Sequence, residues 1–277
     1  MAQHAGPDQR VMRDAHVAVV GGSTGVGAAL VRRLAEQGAR ITVMALASEQ
    51  LDKLAAEVGA TAMAIDLADL DQVAGAIARA EEAGGPIDVL VCNAATNVSG
   101  PFQNLTAAQL RDCLTVNMLA QMELIRQVLP GMIARRRGTI TTTGSLSTEV
   151  SMIHLGTYVP AKAGLTKFAV DLQSELRDYG IRVFTFVLGS VKGTALANAA
   201  IADPVVDFIE RRAGDAGVLT PERVADRMTE VIASNRRSAV ITIPKAAAPL
   251  VQFRHLTVRL LDPLMGRPAR RYKRSAG

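Results

Sequence analysis

Short strand-like apolar runs alternate along the chain with longer stretches whose apolar positions recur every three to four residues. The runs are HVAVV (16–20), RITVMAL (40–46), TAMAI (61–65), IDVLVC (87–92), GTITTTG (138–144), IRVFTFVL (181–188) and SAVITI (238–243). Between them the periodicity predicts a helix from the first glycine turn to about Gln37, and another over SEQLDKLAAEV with Ser48 as N-cap. A third covers DLDQVAGAIARAEEA (69–83), two more reach about Arg136, and one carries TYVPAKAG (157–164). TPERVADRMTEVIAS then opens with Thr220 as cap and Pro221 at the first helical position. Seven strands separated by helices imply right-handed β-α-β crossovers. The expected fold is α/β, a Rossmann-type, doubly wound, mainly parallel seven-stranded sheet with helices on both faces. In such sheets ligands lie beyond the strand C-termini, at the switch point.

Composition agrees and narrows the picture. The chain has 277 residues, 49% of them hydrophobic and 21% charged, with only 3% aromatic. Small side chains suit helices packed closely on a buried sheet. With neither a repeat nor a low-complexity linker, residues 1–277 read as one domain. Within it lie an N-terminal extension (1–15), a core (16–244) with a variable segment near 189–219, and a tail (245–277). Cys92 and Cys113 are expected as buried free thiols, and no set of metal ligands is legible. The first residues have no apolar core of a signal peptide and no run is long enough to span a membrane, so a cytoplasmic protein is expected. From Lys245 onward eight basic residues and one acid give +7, so the rest of the chain carries −2 of the net +5. A basic body that binds nucleic acid is therefore not indicated.

Two stretches carry candidate chemistry. In VVGGSTGVGAAL, Gly21, Gly25 and Gly27 follow the first strand and open the first helix. Residues without Cβ permit the tight turn and a close approach of backbone to a pyrophosphate, and the helix start offers free N–H groups. In TYVPAKAG, Tyr158 and Lys162 stand one helical turn apart and share a face. By itself that pair occurs in many proteins. Pro160 between them is tolerable only where Tyr158 lies at the helix start.

Together these stretches resemble the short-chain dehydrogenase/reductase family in its shorter single-domain form, over about Val17 to Ile243. The resemblance implies an oxidoreductase that interconverts a ketone and a secondary alcohol with NAD(P)(H). It implies catalytic roles for Asn117 (in LTVNMLA), Ser145 (in TTTGSLS), Tyr158 and Lys162. Ser145 precedes Tyr158 by thirteen positions, and Ser147 is a nearby decoy. Tyr158 is then the general acid/base, held below the ordinary tyrosine pKa by the Lys162 ammonium. Ser145 orients the substrate oxygen, and Asn117 supports a proton-relay water.

Cofactor contacts are implied at Gly21, Ser23, Thr24, Gly25, Val26, Gly27 and Leu46. Further ones follow at Asp66 and Leu67, at Asn93, Ala94 and Ala95 of CNAA, and at Tyr158, Lys162, Gly189, Val191 and Thr194. Ala95 replaces the family's glycine, Val20 and Leu188 replace a frequent threonine and proline, and Thr194 lies one position late. Gly189 and Val191 are accordingly better placed for the nicotinamide than Thr194. Ala45, Leu46 and Ala47 end the second strand without an acid or a base, with Ser23, Thr24 and Ser48 nearby for neutral hydrogen bonds. That tilts the expectation toward NADP(H) over NAD(H).

The segment 189–219 matches the family's substrate lid, and its small apolar residues suggest a hydrophobic carbonyl or alcohol substrate. Leu250, Phe253, Leu256, Leu260, Leu261 and Leu264 have helical spacing ahead of the basic end. Packing of this tail on itself or on a subunit of a homodimer or homotetramer is favoured over peripheral membrane contact. Reduction of an imine or conjugated double bond, and a non-catalytic nucleotide-binding regulator, are the alternative functions.

Overall fold

The structure, a computed structural model, describes residues 12–207, 218–234 and 239–252. Seven strands form one parallel sheet in the order β3-β2-β1-β4-β5-β6-β7. They are β1 His16–Val20, β2 Arg40–Ala45, β3 Thr61–Ala64, β4 Val89–Cys92, β5 Gly138–Ser145, β6 Ile181–Leu188 and β7 Val240–Ile243. The order reverses between β1 and β4, which opens a crevice at their C-terminal ends.

Period-two alternation sends successive residues of each strand into two different cores. Val17 and Val19 of β1 join Val43, Val91, Phe184 and Phe186 on one face, under α1 (Gly25–Glu36) and the later helix Pro221–Ala233. Ala18 and Val20 join Met44, Leu90, Cys92 and Ile140 on the other. That second face lies under Ala76–Gly84, Ala120–Arg135 and Tyr158–Glu175. Both faces are buried at the sheet centre, which is why Val17–Val20 of β1 and all of β4 are apolar at every position rather than at alternate ones.

The remaining helices, in chain order, are α2 Glu49–Val58, α3 Leu70–Val73, α4 Ala76–Gly84, α5 Ala107–Leu114, α6 Ala120–Arg135 and α7 Tyr158–Glu175. They continue with α8 Ala195–Ile201, α9 Pro221–Ala233 and α10 Ala248–Gln252. Ser48 caps α2 by accepting the Leu51 N–H, and Thr220 and Pro221 open α9 as expected. The helix expected over 69–83 is instead two, because Gly75 takes a left-handed conformation between α3 and α4. Leu46 falls just past the end of β2 and is exposed. Cys92 and Cys113 are buried free thiols. Beyond Gln252 the proposed tail helix lies outside the described residues. No helix among the described residues is long and apolar enough to cross a membrane.

His16 is fully buried at the opposite end of the sheet from the crevice. Its Nδ1 lies 2.6 Å from the Gly85 carbonyl and its Nε2 2.9 Å from the Thr42 hydroxyl. A carbonyl can only accept, so Nδ1 carries the proton and Nε2 accepts from Thr42. Burial holds the imidazole below its ordinary pKa of 6.5. As the pH falls through 6.5, the unfolded chain gains a proton that the folded chain refuses, so stability drops below that point and is complete above it. Urea melts at pH 7.5 and 5.5 should show a larger acid loss in the wild type than in His16→Gln.

Candidate active site

A cleft of about 880 Å³ lies over the C-terminal ends of the strands, around the β1–β4 reversal. One end is the glycine turn. Gly21 has φ +73°, and a Cβ there would stand 2.5 Å from the Ala94 Cα. A Cβ on Gly27 would stand 2.0 Å from the Gly21 carbonyl oxygen. The turn is therefore pressed against both the loop after β4 and the first turn of α1, whose Gly25 and Val26 line the cleft. Asn93 Nδ2 donates to the Gly21 carbonyl at 3.1 Å and ties the two loops together. This bare backbone cradle fits the pyrophosphate of a dinucleotide.

Along this half the lining includes Ser23, Thr24, Gly25, Val26 and Leu46. Asp66, Leu67, Ala94 and Ala95 follow. Asp66 Oδ1 accepts the Ala68 N–H, which fixes the carboxylate in the turn after β3. Ser48 caps α2 by accepting the Leu51 N–H, which leaves its hydroxyl hydrogen to donate. Gly189 and Val191 line the cleft beyond β6, and so does Thr194. Thr194 caps α8 by accepting the Ala197 N–H at 3.1 Å, and its Cγ2 lies 3.2 Å from where a Gly25 Cβ would be. Its late sequence position thus still brings it over the glycine turn, which the spacing argument had discounted.

Ser145, Tyr158 and Lys162 meet on the cleft floor. Ser145 is the last residue of β5, and Tyr158 is the first of α7, so the N–H that Pro160 lacks is one that a helix start leaves unpaired anyway. Lys162 is buried, donates from Nζ to the Thr143 carbonyl at 3.0 Å, and lies 6.0 Å from the Tyr158 ring centroid. Burial pulls its ammonium down to about 8. Burial also pushes the Tyr158 phenol up to about 12, while a hydrogen bond from Ser145 works in the opposite direction. The direction is opposite to the lowering expected of Lys162, because desolvation of the phenol outweighs the Ser145 hydrogen bond.

Asn117 projects from the turn that joins α5 to α6, and Gln121 from the first turn of α6. Residues Thr115–Leu119 form a π-helical turn, a distortion that recurs at functional sites. Asn117 does not line the cleft. Its Nδ2 donates to the Thr96 and Cys113 carbonyls, each at 2.8 Å, and its Oδ1 accepts the Thr96 N–H at 3.3 Å. The side chain thus holds the loop after β4. Gln121 Nε2 reinforces that loop at the Ala94 carbonyl, 2.8 Å away.

The far end of the cleft was not legible from motifs. It is walled by Leu146, Val150, Met152, Leu155, Leu196, Ala200 and Val206, contributed by three separate segments. His154 and Asp203 hold two of them together. His154 Nδ1 lies 3.0 Å from both Asp203 carboxylate oxygens, and Asp203 Oδ1 also accepts the Val205 N–H at 2.9 Å. Among the described residues the charged side chains lining the cleft are Asp66, Asp112 and Lys162. No cation stands at the apolar end.

A dinucleotide cradle at the switch point of a doubly wound sheet, next to a serine, a tyrosine and a lysine, defines a nucleotide-dependent oxidoreductase of the α/β class. Residues 15–204 match the family described as short chain dehydrogenase, and the chain belongs to that family. It is similar to the ketoacyl reductase HetN of Nostoc sp. (strain PCC 7120 / SAG 25.82 / UTEX 2576), 29% identical over 81% of this chain and 77% of that one. It is 32% identical to a 3-dehydrosphinganine reductase of Danio rerio over 64% of this chain, a match spanning 56% of that longer protein. Among solved structures, a metagenomic short-chain oxidoreductase in complex with NADP aligns over 84% of this chain and 98% of its own. The TM-score is 0.71 and the identity 26%.

Proposed function

We propose that the chain interconverts a ketone and a secondary alcohol on a hydrophobic small molecule, using NADP(H) in preference to NAD(H). The observation that carries this reading is the meeting of Ser145, Tyr158 and Lys162 between a dinucleotide cradle and an apolar wall. The nicotinamide cofactor, when bound, supplies the hydride chemistry and, in its oxidised form, a positive charge. Gly21, Thr24, Gly25 and Asn93 hold its phosphate and ribose region, Asp66 and Leu67 flank the adenine end, and Gly189, Val191 and Thr194 flank the nicotinamide end.

Ser145 holds the substrate oxygen by donating to it. Tyr158, neutral at physiological pH because burial raises its pKa to about 12, gives its proton to that oxygen during reduction. In oxidation the same phenol must lose its proton first, so that direction is favoured at high pH. Lys162 anchors beneath the phenol through the Thr143 carbonyl and presents its ammonium to the ribose side. The β2 end offers neither a carboxylate to repel a 2′-phosphate nor a cation to bind it, which supports NADP(H) use with modest discrimination. The name of the NADP-bound neighbour points the same way.

Among the described residues the substrate-end wall is apolar and carries no cation for a carboxylate or phosphate, which supports a neutral, apolar ketone. The reductase names of the two curated relatives are in keeping with a keto group on a long aliphatic frame. Exposed Leu114 and Leu119, at 38% and 47%, support assembly into a homodimer or homotetramer. A panel of aliphatic ketones, secondary alcohols and imines, assayed with both cofactors at the reduced-nicotinamide absorbance, tests the reading. Turnover of apolar ketones, better with NADPH, is the expected result; activity confined to imines or to anionic substrates would overturn it.

A further inference from the structure

We infer that Ser147 is a positioning residue for this chemistry: it fills the acceptor side of Ser145, so that the Ser145 hydroxyl meets the cleft only as a donor. The inference rests on the roles proposed above for Ser145 and Tyr158. A serine hydroxyl has one hydrogen to give and two lone pairs to receive with. Ser145 Oγ accepts the Ser147 backbone N–H at 3.2 Å and the Ser147 hydroxyl at 2.9 Å. Both lone pairs are then engaged, and the hydrogen is what remains. The first of these bonds cannot reverse, because a backbone N–H only donates.

The local chain sets this geometry. Ser145 ends β5 in extended conformation, with φ −145° and ψ 143°, and the chain turns at once through the 3₁₀ segment Leu146–Glu149. The Thr148 hydroxyl closes the turn on the Ser145 carbonyl at 2.7 Å. Ser147 is therefore held over Ser145 by its own turn, and it also lines the cleft.

The direction of the Ser145 hydrogen decides what the residue can do. A substrate carbonyl oxygen carries only lone pairs, so it binds a donor and is repelled by an acceptor. A Ser145 hydrogen turned toward Ser147 would present the substrate with lone pairs. Before substrate binds, the same hydrogen is given to the Tyr158 phenol oxygen, which favours its ionised form; with substrate bound, that one hydrogen goes to the substrate oxygen. Two accepted bonds also polarise the Ser145 O–H, an effect of roughly 10–30% per bond in chains of hydrogen bonds.

The test compares Ser147→Ala, Ser147→Thr and Ser145→Ala in the full chain. Around the phenol, the Lys162 ammonium, the Cys113 thiol and the Ser145 hydroxyl stay in place in both Ser147 variants. Ser147→Ala should lower kcat for the best ketone about fivefold to tenfold, the size of one lost neutral hydrogen bond. It should also move the alkaline limb of alcohol oxidation upward by about half a pH unit. Reduced-cofactor affinity, read by nicotinamide fluorescence, should stay unchanged, and Ser147→Thr should keep wild-type kcat and pH profile. A Ser147→Ala enzyme with wild-type kcat and an unmoved limb overturns the inference, as does a Ser147→Thr enzyme as impaired as the alanine variant. Ser145→Ala separates the two levels. If it too leaves turnover intact, the reading of the site falls; if it abolishes turnover while Ser147→Ala does nothing, only the role of Ser147 falls.

Discussion

Tyr158→Phe is expected to lower kcat by about a thousandfold, within the range that general acid–base catalysis contributes, while the cofactor still binds. The substitution removes one oxygen and keeps the ring that packs between Lys162 and the cleft, so the fold has no reason to change. What is lost is the only group on the cleft floor placed to hand a proton to the substrate oxygen. Lys162 does not replace it: the ammonium is buried, bound to the Thr143 carbonyl and committed beneath the ring. Ser145 does not replace it either, since an alkoxide left behind is far too costly at neutral pH. Steady-state assays on the best ketone, with cofactor titration by fluorescence, check both halves. Turnover within tenfold of wild type would show that proton transfer does not pass through the phenol.

The second large effect belongs to the glycine turn. Gly27→Ala places a Cβ 2.0 Å from the Gly21 carbonyl oxygen and 2.9 Å from the Gly22 Cα. Both atoms are backbone in a turn held by Asn93 and by the β1–β2 ladder, so neither can yield alone. The first turn of α1 must move away from β1, at a cost in stability of about 1–3 kcal/mol for an overpacked site. The helix N–H groups move with it, off the position where a pyrophosphate meets them. Cofactor affinity should fall by about 100-fold, near 2.7 kcal/mol. Thermal melts and a titration with reduced cofactor measure the two effects. A variant that binds cofactor within threefold of wild type would mean that the anion is held elsewhere.

These two sites were the most legible parts of the chain, and for the same reason. A turn that needs residues without Cβ, and a phenol and ammonium one helical turn apart, are set by covalent geometry within a few residues. The doubly wound parallel sheet followed almost as directly, since seven apolar runs joined by amphipathic helices leave few un-knotted arrangements, while the strand order came from the structure. Other features resisted local reading. The helix over 69–83 breaks at Gly75, where a permissive residue took a left-handed conformation that an apolar periodicity does not register. Thr194 was discounted on spacing, yet α8 carries it back over Gly25. Asn117 was found by position, and helix geometry supplies its Cys113 partner, but its other partner, Thr96, comes from a loop that only packing brings near.

The amino-acid sequence by itself determined the dinucleotide turn, which depends on contacts a few residues long; its apolar runs pointed to the doubly wound sheet, and its motifs in order, through the family resemblance, pointed to Ser145, Tyr158 and Lys162. The tertiary structure decided how those groups behave. Burial sets Tyr158 at about 12 and Lys162 at about 8, and desolvation is a property of everything packed around a group. It also decided which of two nearby serines faces the cleft as a donor. Ser145 and Ser147 are nearly interchangeable as letters, and only the turn after β5 makes one the donor and the other its support.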